Sequence, residues 1–246
     1  MSIVSNSLKR IKPSPTIAVT QKARELKAAG KDVIGLGAGE PDFDTPAHIK
    51  KAAIEAIEMG KTKYTAVDGI PELKEAICKK FLRDNNITFD VSEISVGAGG
   101  KQVLFNALLA TVNRGDEVII PSPYWVSYPD MVVIAEGIPV IIETGVESDF
   151  KVTSEQLRKA ITNKTKWIVI NSPSNPTGSC YSVNELKDLG EILDEFPHVG
   201  FISDDIKFNL AVEFTRITFP FLLFVSISSF FSGILLFARS ASTKFL

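Results

Sequence analysis

The sequence is poor in cysteine and carries almost no net charge, and each shortage argues against a class of protein. Its two cysteines, Cys78 and Cys180, fit neither a metal-binding spacing nor a disulfide framework. We therefore expect a chain kept in a reducing cytosol, where both cysteines act as small apolar residues. The formal net charge of −2 gives no electrostatic reason to expect a nucleic-acid partner.

A secretory signal and a solenoid repeat are also missing. The N-terminal segment MSIVSNSLKRIKPSPT lacks the long apolar run of a signal peptide, and no repeat of solenoid length is visible. The 246 residues are enough for one large domain or two small ones. Hydrophobic residues make up 45% and charged residues 23% of the chain, which is the balance of a globular protein.

The middle of the chain alternates between apolar runs and helical spacings. These patterns predict strands at 93–96, 117–121, 139–142, 166–170 and 199–203, with helices between them at 101–112, 124–136, 154–162 and 183–195. Upstream they predict helices at 16–29, 47–59 and 71–86, and a short strand that begins at Asp32. Such alternation favours an α/β fold, a three-layer αβα arrangement with helices on both faces of a mixed, mostly parallel sheet.

Glycine-rich and polar segments follow directly after several of these strands. In α/β folds the ligand sites lie at the carboxyl ends of parallel strands, so these segments are the candidates for function. The turn at 97–100, with Lys101 behind it, follows one strand and opens a helix. It fits either a phosphate cradle at a helix N-terminus or a plain glycine turn.

Three other strand ends carry candidate side chains. Trp125 follows the strand at 117–121, where it stacks on a planar ligand or packs in the core. Asn175 lies in the rigid loop NSPSNPTG, where it presents its amide to a ligand or serves the turn. Asp204 and Asp205 end the last strand. Unless it is solvated, a carboxylate there needs a protonated ring nitrogen, a metal ion or a helix N-terminus as its partner.

The order of these segments resembles one family. A glycine turn, an aromatic residue, the SPSNPTG loop and a strand-end aspartate follow one another in register, and the phrases LGAGEPDFDTP, KYTAVDGIPELKEAI and VGAGGKQVLFN match as well. Over about residues 1–206 the sequence is similar to the class I, fold type I aminotransferases that depend on pyridoxal 5′-phosphate (PLP). Within them it is similar to the bacterial aspartate/prephenate type.

That resemblance implies two sets of site residues. The residues expected to contact the cofactor are Tyr64, Gly99, Gly100, Lys101, Trp125, Asn175 and Asp204. The residues expected to contact the substrate are Lys12, Gly39, Trp125 and Asn175.

The family also suggests what each of these residues does. Its glycine turn holds the cofactor phosphate, its tryptophan stacks on the ring, its asparagine bonds the ring hydroxyl and its aspartate pairs with the ring nitrogen. Tyr64 matches a tyrosine that reaches the phosphate from the other subunit of a homodimer. Gly39 matches a backbone contact to the substrate carboxylate, and Lys12 matches a residue associated with dicarboxylate and prephenate recognition.

The resemblance stops inside a motif. Where the family has D-[DE]-I-Y, this chain has Asp204-Asp205-Ile206-Lys207, so the tyrosine is absent. The family's Schiff-base lysine and its small C-terminal domain, which supplies a substrate-binding arginine, have no matching context, so we assign no catalytic residue. Lys244 lies at about the right distance from Asp204 but follows an apolar run, and we expect it to be a solvated terminal lysine.

Residues 217–237 contain no charged side chain and are long enough to cross a bilayer. The abrupt loss of resemblance instead favours a frame-shifted continuation. We therefore expect an N-terminal arm and helix (1–30), a partial PLP-binding large domain (31–206) that lacks the small C-terminal domain, and an unrelated hydrophobic tail (207–246).

Three hypotheses about activity follow. The first is an inactive remnant of an aminotransferase, and the second is an enzyme that works through Lys244 or with a separately encoded C-terminal half. The third is a non-enzymatic PLP-binding protein tethered to a membrane by 217–237. In the first two hypotheses the ancestral reaction is the transfer of an amino group between an amino acid and a 2-oxo acid. The resemblance implies that aspartate, glutamate and prephenate are among the substrates.

Overall fold

The computed structural model describes residues 3–35, 37, 39, 43–205, 221–226 and 234–238. The chain divides into two units, Met1–Lys63 and Tyr64–Leu246. The predicted site residues Lys12 and Gly39 belong to the first unit, and the other predicted site residues belong to the second.

The first unit contains two helices, α1 (Pro15–Ala28) and α2 (Ala47–Glu58), after a 3-10 helix at Asn6–Arg10. Proline at the first helical position suits α1, because that N–H has no intrahelical partner. The predicted strand beginning at Asp32 is wrong, since residues 31–35 form no strand. Its apolar run is short and Ile34 is 84% exposed, so little hydrophobic burial stabilises an extended pairing there.

The second unit contains the alternating elements that the sequence predicts up to residue 205, followed by two strands in the expected hydrophobic tail that the sequence does not predict. In chain order they are α3 (Pro71–Asn85), β1 (Ile94–Gly97), α4 (Gly100–Thr111), β2 (Glu117–Ser122), α5 (Ser127–Ile134), β3 (Ile138–Glu143), α6 (Ser154–Ala160), β4 (Thr165–Ser172), α7 (Val183–Glu195), β5 (Gly200–Asp205), β6 (Phe221–Ser226) and β7 (Ile234–Ala238).

Local signals account for several of these boundaries. Thr153 and Ser182 cap α6 and α7, each accepting a hydrogen bond from the backbone N–H three residues later while that residue's side chain bonds back. Both N-termini are therefore capping boxes. The helix predicted at 124–136 begins only at Ser127 and ends at Ile134. The residues before Ser127 instead form the turn that leaves β2, so Trp125 follows the carboxyl end of that strand.

The strands form one seven-stranded sheet in the order β1-β6-β7-β5-β4-β2-β3. All neighbouring pairs are parallel except those of β7, which runs antiparallel to both β5 and β6. The predicted mixed, mostly parallel sheet is thus confirmed.

The predicted hydrophobic tail supplies β6 and β7 to this sheet. Residues 206–220, 227–233 and 239–246, which include Lys207 and Lys244, lie outside the described residues. Within the described ranges, no helix combines the length and the apolar character needed to cross a membrane.

Two hydrophobic cores cover the two faces of the sheet. On one face, α4 and α5 pack on Val118, Val169 and Ile202. On the other, α6 and α7 pack on Ile119 and Ile168. Alternate residues of a strand point to opposite faces, so both faces of β2 and β4 are buried. The helices on both faces give the three-layer α/β arrangement that the sequence predicts.

Candidate active site

Asp204 lies at the carboxyl end of β5 with its side chain on the α5 side of the sheet. The Tyr128 hydroxyl donates a hydrogen bond of 2.5 Å to the Asp204 Oδ2. Burial raises the pKa of Asp204 above its ordinary value of 3.8, and the Tyr128 hydrogen bond opposes only part of that rise. A carboxylate in this position is stabilised by any cationic partner brought next to it.

Tyr128 fixes this carboxyl group from the first turn of α5. Its side chain is only 2% exposed and belongs to the core between α4, α5 and the sheet. Burial raises the pKa of Tyr128 well above its usual value, and the neighbouring Asp204 raises it further. Tyr128 therefore remains a neutral hydrogen-bond donor at any physiological pH.

Trp125 lies edge-on to Tyr128, with the ring centroids 5.3 Å apart and the planes at 84°. It is partly buried against the same core, which fixes the plane of its indole. The Lys101 Nζ lies 4.8 Å from the centroid of the Trp125 ring, a cation–π contact. Lys101, Trp125, Tyr128 and Asp204 thus form one continuous chain of contacts.

The glycine turn brings the open end of α4 to the same contact chain. Gly99 precedes the helix with a φ of +106°, a conformation that side chains with a Cβ rarely adopt. A Cβ built on Gly99 would meet no atom within 4 Å, so the space over the turn is open. Gln102 and Val103 donate their backbone N–H groups to the Gly99 carbonyl, which leaves Gly100 and Lys101 at the open end of the helix.

Asn171 ties the loop that carries Asn175 to the end of β5. Its Nδ2 donates a hydrogen bond of 2.7 Å to the Asp204 carbonyl oxygen. Its Oδ1 accepts one of 2.7 Å from the Asn175 backbone N–H. The Asn175 residue itself is exposed. The loop is therefore anchored to the strand that presents Asp204, with the Asn175 amide at the surface of the site.

A cavity lies beside this cluster at the carboxyl ends of β2 and β4, with Tyr128, Asn171, Ser174 and Tyr181 in its lining. Within the described part of the chain, no three histidine, cysteine, aspartate or glutamate side chains gather into a metal-binding group.

The remaining predicted site residues lie elsewhere. Tyr64 is fully exposed on the loop before α3. Lys12 and Gly39 are exposed in the first unit. The structure thus brings together Lys101, Trp125, Asn175 and Asp204, with the glycine turn next to them.

The comparison with family models decides the lineage. The family model described as aminotransferase class I and II matches residues 31–211, which are well over half of the chain. The chain belongs to the class I and II aminotransferases. This membership agrees with the resemblance carried by the glycine turn and the SPSNPTG loop.

Individual aminotransferases match closely as well. The aspartate/prephenate aminotransferase of Cereibacter sphaeroides is 60% identical over 220 residues, which are 89% of this chain and 55% of that protein. A probable aspartate/prephenate aminotransferase of Rickettsia bellii is 60% identical over 213 residues, or 87% and 53% of the two chains. The chain thus spans about half the length of these aminotransferases.

Solved aminotransferase structures share the fold. An aspartate aminotransferase of Thermus thermophilus with maleate superposes with a TM-score of 0.87 at 41% identity, covering 98% of this chain and 65% of that one. An aspartate aminotransferase of Rhizobium meliloti gives a TM-score of 0.85 at 40% identity, covering 98% and 64%. These similarities confirm the α/β fold class and show that this chain corresponds to part of those enzymes.

Sequence reasoning missed two residues of the candidate site. Tyr128 follows Trp125 by three positions, a spacing that brings side chains together on a helix, and that spacing was a usable signal although Trp125 itself precedes α5. Asn171 opens the same motif as Asn175, but its two hydrogen bonds depend on how β4 and β5 pair. No pattern along the chain indicates that pairing.

Proposed function

We propose that this chain forms the PLP-holding part of an aminotransferase active site. The observation that carries the proposal is the buried carboxyl group of Asp204 at a strand end, with a raised pKa and, among the described residues, one neutral hydrogen-bond donor, Tyr128. A protonated pyridine nitrogen is the kind of cation that such a carboxylate stabilises.

The residues present fit the cofactor. The open glycine turn and Lys101 suit a phosphate, because N–H groups and a positive charge meet at a helix N-terminus. The Trp125 indole, held by Tyr128 and the core, suits stacking on a planar ring. PLP supplies, when bound, an electron-withdrawing ring that stabilises negative charge on the substrate Cα.

The chain's own residues hold the ring in one place and one charge state. Asp204 keeps a proton on the ring nitrogen, and Tyr128 keeps the Asp204 carboxylate oriented. Lys101 can move from the Trp125 face to an anion, since a cation–π contact of this kind is worth only about 0.5–2 kcal/mol. Asn171 holds the Asn175 loop to the end of β5, so the Asn175 amide stays at the mouth of the site.

We base the proposed substrates and the proposed oligomeric state on the aminotransferase family to which the chain belongs. We propose that the parent reaction transfers the amino group of aspartate or glutamate to a 2-oxo acid, prephenate among them, as the names of the matching relatives suggest. The full exposure of Tyr64 supports a homodimer in which this side chain serves the partner's site. Lys12 and Gly39 remain proposed substrate contacts.

The amine that holds the cofactor covalently has no assigned place among the described residues. Lys101 lies on Trp125, and Lys151, in the lining of the neighbouring cavity, pairs with Glu185 at 2.7 Å and Asp149 at 3.4 Å. We therefore propose that this chain by itself binds PLP without completing transamination.

The test uses the purified full chain. PLP is titrated while the fluorescence of the two tryptophans is followed, with pyridoxal as the ligand that lacks the phosphate. We expect PLP to quench the fluorescence and to bind more tightly than pyridoxal. Trp125→Phe should remove most of the quenching. Trp167→Phe should retain it, because Trp167 is buried in the core with its Nε1 bonded to Thr111.

A second measurement asks whether any lysine is engaged. Borohydride reduction at saturating PLP, followed by peptide mapping, should leave no lysine stoichiometrically labelled. A stoichiometric adduct on one lysine, together with amino-group exchange that depends on it, would show a complete enzyme. Equal binding of PLP and pyridoxal, or full quenching in Trp125→Phe, would contradict the proposed site.

A further inference from the structure

Lys74 on α3 is a buried lysine that does not belong to the predicted site. Its side chain is only 7% exposed, and its Nζ lies 2.5 Å from the Asp68 Oδ2. This hydrogen bond is the main reason why the pKa of Asp68 lies below its ordinary value. Since an unpaired buried ammonium is strongly unfavourable, the Asp68 contact holds the loop before α3 in place.

That loop lies directly against β1. The Asp68 carbonyl oxygen accepts a hydrogen bond of 2.9 Å from the Val96 backbone N–H. Gly69 follows with a φ of +109°, and a Cβ built there would come within 2.8 Å of the Val96 Cγ2. Only glycine permits this approach at position 69. The Asp68 carbonyl group and the Gly69 Cα, on either side of the peptide bond that joins them, therefore both lie close to Val96.

Val96 is the residue before the glycine turn. β1 is the first strand in the order of the sheet, and one of its edges pairs with β6. The Asp68 loop covers the outer edge at the point where β1 passes into Gly97, Gly99 and the start of α4. The backbone that presents the turn is therefore held by the sheet on one edge and by this loop on the other.

We infer that the Asp68–Lys74 ion pair positions the glycine turn for binding the phosphate of a phosphorylated ligand. This inference rests on the proposed function, since it takes the turn at 97–100 to be the phosphate site. Asp68 and Lys74 act as positioning residues: they contact neither the turn nor the ring site and act through Val96. Loss of the pair should loosen the turn while leaving Trp125, Tyr128 and Asp204 in place.

The experiment compares Lys74→Met and Asp68→Asn with Lys50→Met in the full chain. Lys50 is a matched control, because it also contacts an aspartate six residues earlier at 2.5 Å, yet it is 48% exposed and lies in the first unit. For Lys74→Met and Asp68→Asn we expect a loss of about tenfold in affinity for PLP, with less than about a twofold change for pyridoxal. Lys50→Met should change neither.

Amide hydrogen exchange of the ligand-free protein gives a second readout. Peptides that cover residues 94–104 should exchange faster in Lys74→Met and Asp68→Asn than in the parent chain, while peptides of β4 stay protected. If Lys74→Met does not fold, the charge-reversed pair, Asp68→Lys with Lys74→Asp, should restore the parent exchange of the turn where the single change Asp68→Lys does not.

The outcomes separate the two proposals. Equal losses for PLP and pyridoxal, or unchanged exchange at 94–104, would overturn the positioning role even when the parent chain binds PLP as proposed. A parent chain that shows no preference for PLP over pyridoxal would overturn the phosphate site itself. In that case faster exchange at 94–104 would still support the mechanical link from the ion pair to the turn.

Discussion

At the scale of single residues, the proposed site depends on one buried carboxyl group, for which the described part of the chain supplies the Tyr128 hydroxyl as hydrogen-bond donor. Burial raises the pKa of Asp204, and Tyr128 offers it a single neutral donor. Such a group is unfavourable for the empty protein and favourable for binding a cation. In the proposed PLP site, the same desolvation that costs stability would favour binding of a protonated ring.

Replacement of Asp204 by Asn tests this balance. A raised pKa in the folded state means that the folded chain binds the proton more tightly than the unfolded chain does. The free energy of unfolding should therefore fall as the pH rises above about 3.8, until it passes the raised pKa. Asp204→Asn should flatten that decline and unfold at higher denaturant near neutral pH, as urea titrations at several pH values would show.

The same variant should bind PLP at least about tenfold more weakly, since a charge-assisted hydrogen bond is lost. Asp188→Asn, an exposed change on α7, is the control and should alter neither property. A variant that is less stable than the parent at neutral pH would contradict the expected cost of burying the carboxylate, and a variant that keeps the parent PLP affinity would contradict the proposed role of Asp204 in binding the ring.

At the scale of elements, the glycine turn determines what α4 presents to a ligand. Gly99 adopts a φ of +106° in open space, so a methyl group there is opposed by backbone conformation and not by a clash. Gly115, in the loop before β2, has a φ of +88° and is equally open. The two glycines therefore separate the general effect of backbone strain from a local effect on the site.

Gly99→Ala and Gly115→Ala should each lower the free energy of unfolding by about 1 kcal/mol. Only Gly99→Ala should also weaken PLP binding, because only this turn faces the proposed phosphate. Thermal melts and fluorescence titrations measure the two effects. If both variants weakened PLP binding to the same extent, the loss would reflect general destabilisation and not the turn.

At the scale of the whole sheet, two hydrophobic cores share the same strands. Leu104 on α4 and Leu189 on α7 lie on opposite faces, and both are almost fully buried. The two cores meet through β2 and β4, whose alternate residues contribute to each face. Loss of packing on one face should therefore weaken the other.

Leu104→Ala and Leu189→Ala should each lower the free energy of unfolding of this unit by about 2–5 kcal/mol. Both should shift one common transition, followed by circular dichroism and by Trp167 fluorescence in urea. Leu109→Ala on α4 is the matched control, because Leu109 is 53% exposed and its loss should cost no more than about 0.5 kcal/mol. Two separate transitions would show that the faces fold independently.

The sequence by itself determined the order of the elements between residues 71 and 205. Apolar periodicity and the caps at Thr153 and Ser182 act over a few residues, so α6 and α7 begin where the pattern predicts. It could not determine the Tyr128–Asp204 hydrogen bond, which joins side chains 76 positions apart in the chain. That contact exists only because α5 packs on the sheet beside β5.

The tertiary structure also decided which of two equivalent ion pairs is buried. Asp44–Lys50 and Asp68–Lys74 have the same spacing and the same 2.5 Å distance, yet the lysines are 48% and 7% exposed. Likewise, periodicity cannot indicate that β6 and β7 lie between β1 and β5, since strand order depends on non-local backbone pairing. Burial and strand order are set by what packs on a residue from elsewhere in the chain, and local sequence does not contain that information.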